Sequence, residues 1–440
     1  MTGGALAHGI GGRQDLPLPF EDALAGAVIA LLATFIILAF AWRRSKLRGD
    51  ERGLALPGWL AGVLDSPAFR WSLRVAGLVV GLWIVVALVA GPEAPVENPA
   101  PGALYVVLWV WVPLLSLLFG PVWRTVSPLR TFHLVLSRVS GRDPADGPLR
   151  LPARLGYWPA AVLLGAFVWL ELVPASRATL PVVGLAIATY AVLMLVGSAL
   201  FGSAWFARVD PFEVYSSLAA RLSPLGRLRD GRLALRNPLD GLDSQPPVPG
   251  LAAVVLVLLG STAYDSLTGA PAWIRMVQAS PLPPTLVGTL GLLGCIALLA
   301  AAYLLVTRVS GRIEGGRGRL PALFAHSLLP IALGYVVAHY YSLAITEGQR
   351  TFILAGDPLG TGDNLWGLRP TDVSFALVTP TGVATLQVVA VVTGHILGAV
   401  AAHDRAVRLF PPEAARWGQL PLLLLMVGYT YLGLTLLFAA

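Results

Sequence analysis

A chain of 440 residues with 56% hydrophobic and only 12% charged side chains is not an ordinary soluble protein, which carries roughly 25% charged residues. The net charge of +7 does not point to nucleic acid, because the basic residues lie in short loops between apolar blocks and not along one face or tail. Cys295 is the only cysteine, which excludes an intrachain disulfide and any cysteine-built zinc site.

The apolar residues fall in blocks of the length that crosses a bilayer as a helix. Spans are predicted at 23–42, 72–90, 102–119, 155–172, 180–204, 249–268, 284–306, 320–346, 380–403 and 418–438. The fold class is therefore an all-α, polytopic helical bundle. It comprises an outer segment, 1–22, and a single transmembrane domain, 23–440. The stretch before the first block is uncharged and acidic, so no cleavable signal peptide is expected.

Arg43, Arg44, Lys46 and Arg48 follow the first block and place that side in the cytoplasm. Alternation then puts 25 basic residues in the inner loops, plus Arg74 at a helix entrance, and leaves only Arg13, Arg177, Arg275, Arg350 and Arg369 outside. A shift of one helix would destroy this asymmetry. An even number of spans follows, with both termini outside and the plasma membrane as the location.

The third and fifth blocks begin a weak internal repeat, 102–139 and 180–222. One runs through Phe119-Gly120 and Trp123 to Ser127-Pro128; the other runs through Phe201-Gly202 and Trp205 to Asp210-Pro211. Ser or Asp before Pro is a helix start, a cap followed by a first-turn proline. Apolar stripes follow at matching offsets: Leu129, Phe132, Leu136 and Val139, and Phe212, Tyr215, Ala219 and Leu222. Such stripes suit two amphipathic helices on the inner membrane surface. Farther along, the outer segment 347–379 is longer than a connection needs and is rich in Gly, Pro and Asp. Its Phe352, Trp366 and Phe375 would fold it back as a lid.

Ionisable groups at membrane depth are the main candidates for chemistry, because each needs a partner or water. His326 and His339 lie in block eight, His395 and His403 in block nine. Counted from the cytoplasmic edge at helical rise, His326 sits at roughly 9 Å and His395 at roughly 12 Å. Gly394 and Gly398 flank His395 at a spacing that permits close helix approach. Tyr264, Asp265, Glu171 and Gln387 share a higher level, about 22–25 Å, with His339 at about 28 Å. That second group is within reach of His8. His133 and the His403-Asp404-Arg405 run fit structural roles better. No HExxH, CxxC, Walker or GxSxG sequence occurs.

Three stretches resemble a known family: Ala7-His8-Gly9 with Arg13-x-Asp15-Leu16-Pro17, Ala325-His326-Ser327 through Ala338-His339-Tyr340, and Gly394-His395 through Ala402-His403-Asp404-Arg405-Ala406. The chain is similar over most of its length to actinobacterial multipass membrane proteins labelled "fenitrothion hydrolase". That resemblance implies cleavage of an organophosphate ester at the membrane and carries over no residue roles. The leading expectation is thus a membrane-embedded hydrolase. His339 and Asp265 would serve as base or metal ligands, Tyr264 as polariser of the phosphoryl oxygen, and His8 as a further ligand. His326 and His395 form a second candidate metal pair, and a divalent metal ion is the candidate cofactor. A transporter using the same groups as a proton or metal path is the second expectation. A redox protein with histidine-ligated metal or haem is the third. The expected partners are the lipid bilayer and a small-molecule substrate.

Overall fold

The computed structural model describes residues 12–310, 316–411 and 417–438. Each predicted span is a helix. Ten of them, with two capped helices of the repeat, are numbered in chain order: α1 (Phe20–Ala41), α2 (Pro67–Ala90), α3 (Pro99–Phe119), α4 (Pro128–Val139), α5 (Trp158–Leu172), α6 (Leu180–Phe201), α7 (Pro211–Ala219), α8 (Leu251–Thr268), α9 (Pro284–Val309), α10 (Leu320–Leu354), α11 (Pro380–Leu409) and α12 (Leu420–Leu437). Among the described residues, nine helices are long and apolar enough to cross a membrane. The tenth block, α5, has 15 residues and rises about 22 Å, short of a hydrocarbon core of about 30 Å. This is an all-α, multi-pass membrane protein.

The segment before α1 meets the end of α12. Arg13 Nε donates to the Phe438 carbonyl at 2.8 Å, and its guanidinium lies 4.6 Å from the Phe20 ring centroid. Phe20 in turn packs on Phe438 at 5.6 Å. The start of α1 and the end of α12 therefore lie side by side.

The chain divides into two compact units. One comprises residues up to Gly49, Leu239–Ser342 and Ala376 onward; the other comprises Asp50–Pro238 and Leu343–Phe375. The first unit holds α1, α8, α9, most of α10, α11 and α12. Its helices approach through glycine: a side chain at Gly260 would strike Ile296, joining α8 to α9.

The second unit holds α2 to α7 and the repeat. In each copy a membrane helix ends on a glycine with positive φ, Gly120 at +88° and Gly202 at +65°, a conformation that glycine adopts without a Cβ penalty. A short helix and a capped helix follow. Ser127 Oγ accepts from the Arg130 amide at 3.3 Å, and Asp210 Oδ1 from the Phe212 amide at 2.9 Å. The copies then diverge. α4 starts against Gly81 of α2 and exposes Phe132, Leu136 and Val139, while Thr131 and His133 are buried. The expected second surface helix, α7, is instead buried on nearly every residue. Glu213 and Ser216 have partners inside the unit, Arg130 and Ser116, so no face is left for a membrane surface.

Two irregular stretches interrupt the long helices. Ala103–Trp111 of α3 is π-helical, and Ala325–Leu328 of α10 is 3-10, just before Pro330. Proline cannot donate to the preceding turn, which accounts for the tightened stretch in α10. A small antiparallel sheet completes the second unit, in the order β1 (Leu54–Ala55), β3 (Leu233–Leu235), β2 (Leu225–Arg227). Its flanks are fixed by ion pairs, Arg236 with Asp50 and Arg227 with Asp65.

Asp210 makes the second unit sensitive to pH. Its Oδ2 accepts from Trp123 Nε1 at 3.1 Å and from the Tyr190 hydroxyl at 2.9 Å. Burial, with the Glu213 carboxylate nearby, pushes its carboxyl up to about 7 from the usual 3.8. The folded state thus holds a proton that the unfolded chain releases near pH 4. The stability this contributes is full below pH 4 and is lost as pH rises through 7. Thermal unfolding should show a falling midpoint between pH 5 and 8, and Asp210→Asn should flatten that slope. An unchanged slope in the variant would assign the dependence elsewhere.

Candidate functional site

The first unit carries an unusual density of buried polar groups. Near the end of α8, Asp265 Oδ2 lies 2.8 Å from His339 Nε2 of α10. The Tyr340 hydroxyl donates to the same oxygen at 3.2 Å. All three residues are buried. The carboxylate therefore fixes the imidazole through one nitrogen, the arrangement that orients a histidine for acid–base work.

Tyr264 does not join this pair through its ring. One residue along a helix is a turn of about 100°, and its ring packs edge-on against Trp273 at 5.6 Å and over Gly291. Tyr340 supplies the hydroxyl at Asp265 instead. Its position directly after His339 was the available signal. Glu171 is buried in the second unit. Its electrostatic neighbours there are Tyr105 and Tyr215. Gln387 of α11 is buried, and its Oε1 has no hydrogen-bond partner among the described residues. His8 lies outside the described residues.

Deeper in the unit, α10 and α11 run antiparallel in direct contact. A Cβ at Gly394 would lie 2.5 Å from the Pro330 oxygen and 3.3 Å from Gly334 Cα; one at Gly398 would lie 2.7 Å from the Ser327 oxygen. The expected close approach at these glycines is present. The contacts also set the register: Ser327 faces Gly398 and Pro330 faces Gly394. His326 and His395 are thus offset by about one turn, roughly 6 Å at helical rise, and their surroundings differ. The shared depth read from the sequence does not hold, because the 3-10 stretch shifts the level of His326.

Both histidines have one defined nitrogen. His326 Nδ1 is 3.0 Å from the Leu323 carbonyl, and His395 Nδ1 is 2.8 Å from the Val391 carbonyl. A carbonyl only accepts, so each Nδ1 carries the proton and each neutral ring turns a lone pair out at Nε2. Neither Nε2 has a hydrogen-bond partner among the described residues, and both rings are buried. His395 packs beside Tyr335 at 5.9 Å and Tyr429 at 6.2 Å. The Tyr429 hydroxyl donates to the Leu259 carbonyl at 2.7 Å, which ties α12 to α8. The charges acting on His326 are Arg405, Arg408 and Asp404.

His403 is satisfied at both nitrogens, Nε2 at 3.0 Å from the Trp42 carbonyl and Nδ1 at 2.8 Å from Gln419 Nε2. Asp404 accepts from Trp42 Nε1 at 2.8 Å, Ser45 Oγ at 2.7 Å and the Lys46 amide at 2.6 Å. Arg408 bridges Asp404 and Asp243 at 3.0 Å each, and Arg405 reaches Asp243 at 3.2 Å. This cluster locks the inner end of α11 to the segment after α1, the structural role expected for it. His133 likewise bonds the Pro144 carbonyl at 3.0 Å.

The described residues contain no group of three or more His, Cys, Asp or Glu placed to hold a metal ion. No family model matches the chain, and no curated protein or solved structure matches it either.

Proposed function

We propose that this chain is a proton-coupled transporter of a small molecule in the plasma membrane, with the Asp265–His339 pair as its outer protonation site. The observation that supports this reading is the series of buried, titratable groups in one unit. Along α10 these are His326, Tyr335 and His339; along α11 the titratable group is His395, with the buried amide of Gln387 two turns before it. His326 to His339 covers roughly 20 Å at helical rise. Buried ionisable groups at membrane depth are costly and mark ion or proton pathways. Two imidazoles with unengaged Nε2 lone pairs are proton acceptors that a purely structural core would not keep.

Proteoliposomes with a trapped pH-sensitive dye test the reading. An imposed gradient should drive proton uptake, and Asp265→Asn or His339→Gln should reduce it to the level of empty vesicles. His133→Gln should not. A second reading, ester hydrolysis, draws on the same pair: a carboxylate-held imidazole activates water against a phosphoryl ester, with or without a divalent metal. Release of a nitrophenol from an aryl phosphotriester, dependent on His339 and accompanied by no proton flux in any gradient, would replace the transporter with the hydrolase.

A further inference from the structure

Two arginines of the second unit lie against one tryptophan ring and have no ion pair among the described residues. The guanidinium of Arg74, on α2, lies 5.4 Å from the Trp71 ring centroid; that of Arg138, at the end of α4, lies 5.8 Å from the same ring. One indole thus has two cations against it. Arg138, Arg70 and Arg130 all act on Arg74 as like charges. Of these, Arg70 is paired with Asp65 at 2.6 Å and Arg130 with Glu213 at 2.7 Å. Arg74 and Arg138 have no ion pair or side-chain hydrogen bond among the described residues. Holding two unpaired guanidinium groups on one ring is unfavourable unless an anion lies between them.

The apolar surroundings identify that anion. On α2, Val75 and Val79 are exposed just beyond Arg74; on α4, the helix that ends with Arg138, Phe132, Leu136 and Val139 are exposed. A charged pair above an apolar strip has the shape of a phospholipid, headgroup first and acyl chain along the helices. The basic residues place this end of α2 at the inner leaflet, where anionic lipids gather. A tryptophan at that level is the usual interfacial anchor. We propose that Trp71, Arg74 and Arg138 form a binding site for an anionic phospholipid, with the headgroup phosphate held between the two guanidinium groups.

The test uses the full chain in nanodiscs of phosphatidylcholine alone or mixed with phosphatidylglycerol. Retained lipid is measured by native mass spectrometry and stability by thermal unfolding. Phosphatidylglycerol should be retained preferentially and should raise the unfolding midpoint. Removing each arginine should weaken retention about 5-fold, so Arg74→Gln with Arg138→Gln should weaken it about 25-fold. Arg232→Gln, exposed and paired with Asp230 at 2.7 Å, should change nothing. In pure phosphatidylcholine the double variant should be at least as stable as the parent, because a like-charge contact is gone. The exposed Arg138→Gln single variant gives the same readout should the double variant fail to fold. Equal retention of both lipids, full retention by the variants, or the same stabilisation from inorganic phosphate would each overturn the proposal. The last outcome would mark a site for a free anion and not for a lipid.

Discussion

Glu213→Ala should destabilise the protein by about 3–5 kcal/mol, the cost of leaving one partner of a buried ion pair alone. Arg130 Nη1 reaches both Glu213 oxygens, at 2.9 and 2.7 Å, and their side chains are 17% and 2% exposed. The truncation strands a guanidinium beside apolar Phe206, whose ring centre is 5.5 Å away. The double replacement Arg130→Met with Glu213→Leu should cost far less than the sum of the single changes, since no charge is then left unpaired. Thermal unfolding of the four proteins in one detergent gives the coupling. Additive single effects would show that the pair contributes nothing as a pair. The variant should also lower the midpoint of the Asp210 titration, because the Glu213 carboxylate helps to hold it up.

This pair explains what the repeat does. Arg130 follows the cap Ser127 by three residues, and Glu213 follows the cap Asp210 by three. Equivalent positions in the two copies therefore carry opposite charges and bind each other. The repeat was legible in the Gly, Trp and cap-Pro spacing, and the two glycines do occupy the positive-φ turns that such ends need. The fate of the second capped helix was not legible. Its stripe of Phe212, Tyr215 and Ala219 matches that of α4, but periodicity reports which face is apolar and not whether lipid or protein covers it.

The spans themselves were readable because bilayer thickness imposes a length on the sequence. The site was readable only in part. Depth arithmetic brought Asp265 and His339 to neighbouring levels, and the pair is in contact. Azimuth was beyond it, so Tyr340, whose hydroxyl bonds Asp265, was not among the expected site residues. It also assumed α-helical rise throughout, and the 3-10 turn at Ala325–Leu328 breaks that assumption at His326. Glu171 illustrates a further limit, since equal depth says nothing about which compact unit a helix joins.

Gly394→Leu should be the most damaging single change in the first unit. A Cβ there meets the Pro330 oxygen at 2.5 Å, its carbonyl carbon at 3.2 Å and Gly334 Cα at 3.3 Å. All three are backbone atoms, and no rotamer change can move them aside. The helices must separate, so the loss should be about 3 kcal/mol or more, at the upper end for an overpacked core. Gly428→Leu is the control, because nothing lies within 4 Å of a Cβ at that position. The damage reaches the polar series as well. His395 is the next residue, and its packing on Tyr335 of α10 depends on how α11 sits against that helix. Gly394→Ala, which demands a smaller displacement, should insert and fold with a lowered unfolding midpoint and should slow proton uptake in vesicles. Equal midpoints for Gly394→Leu and Gly428→Leu would mean that the two helices do not touch at Gly394. His395 would then lose the wall that α10 gives it.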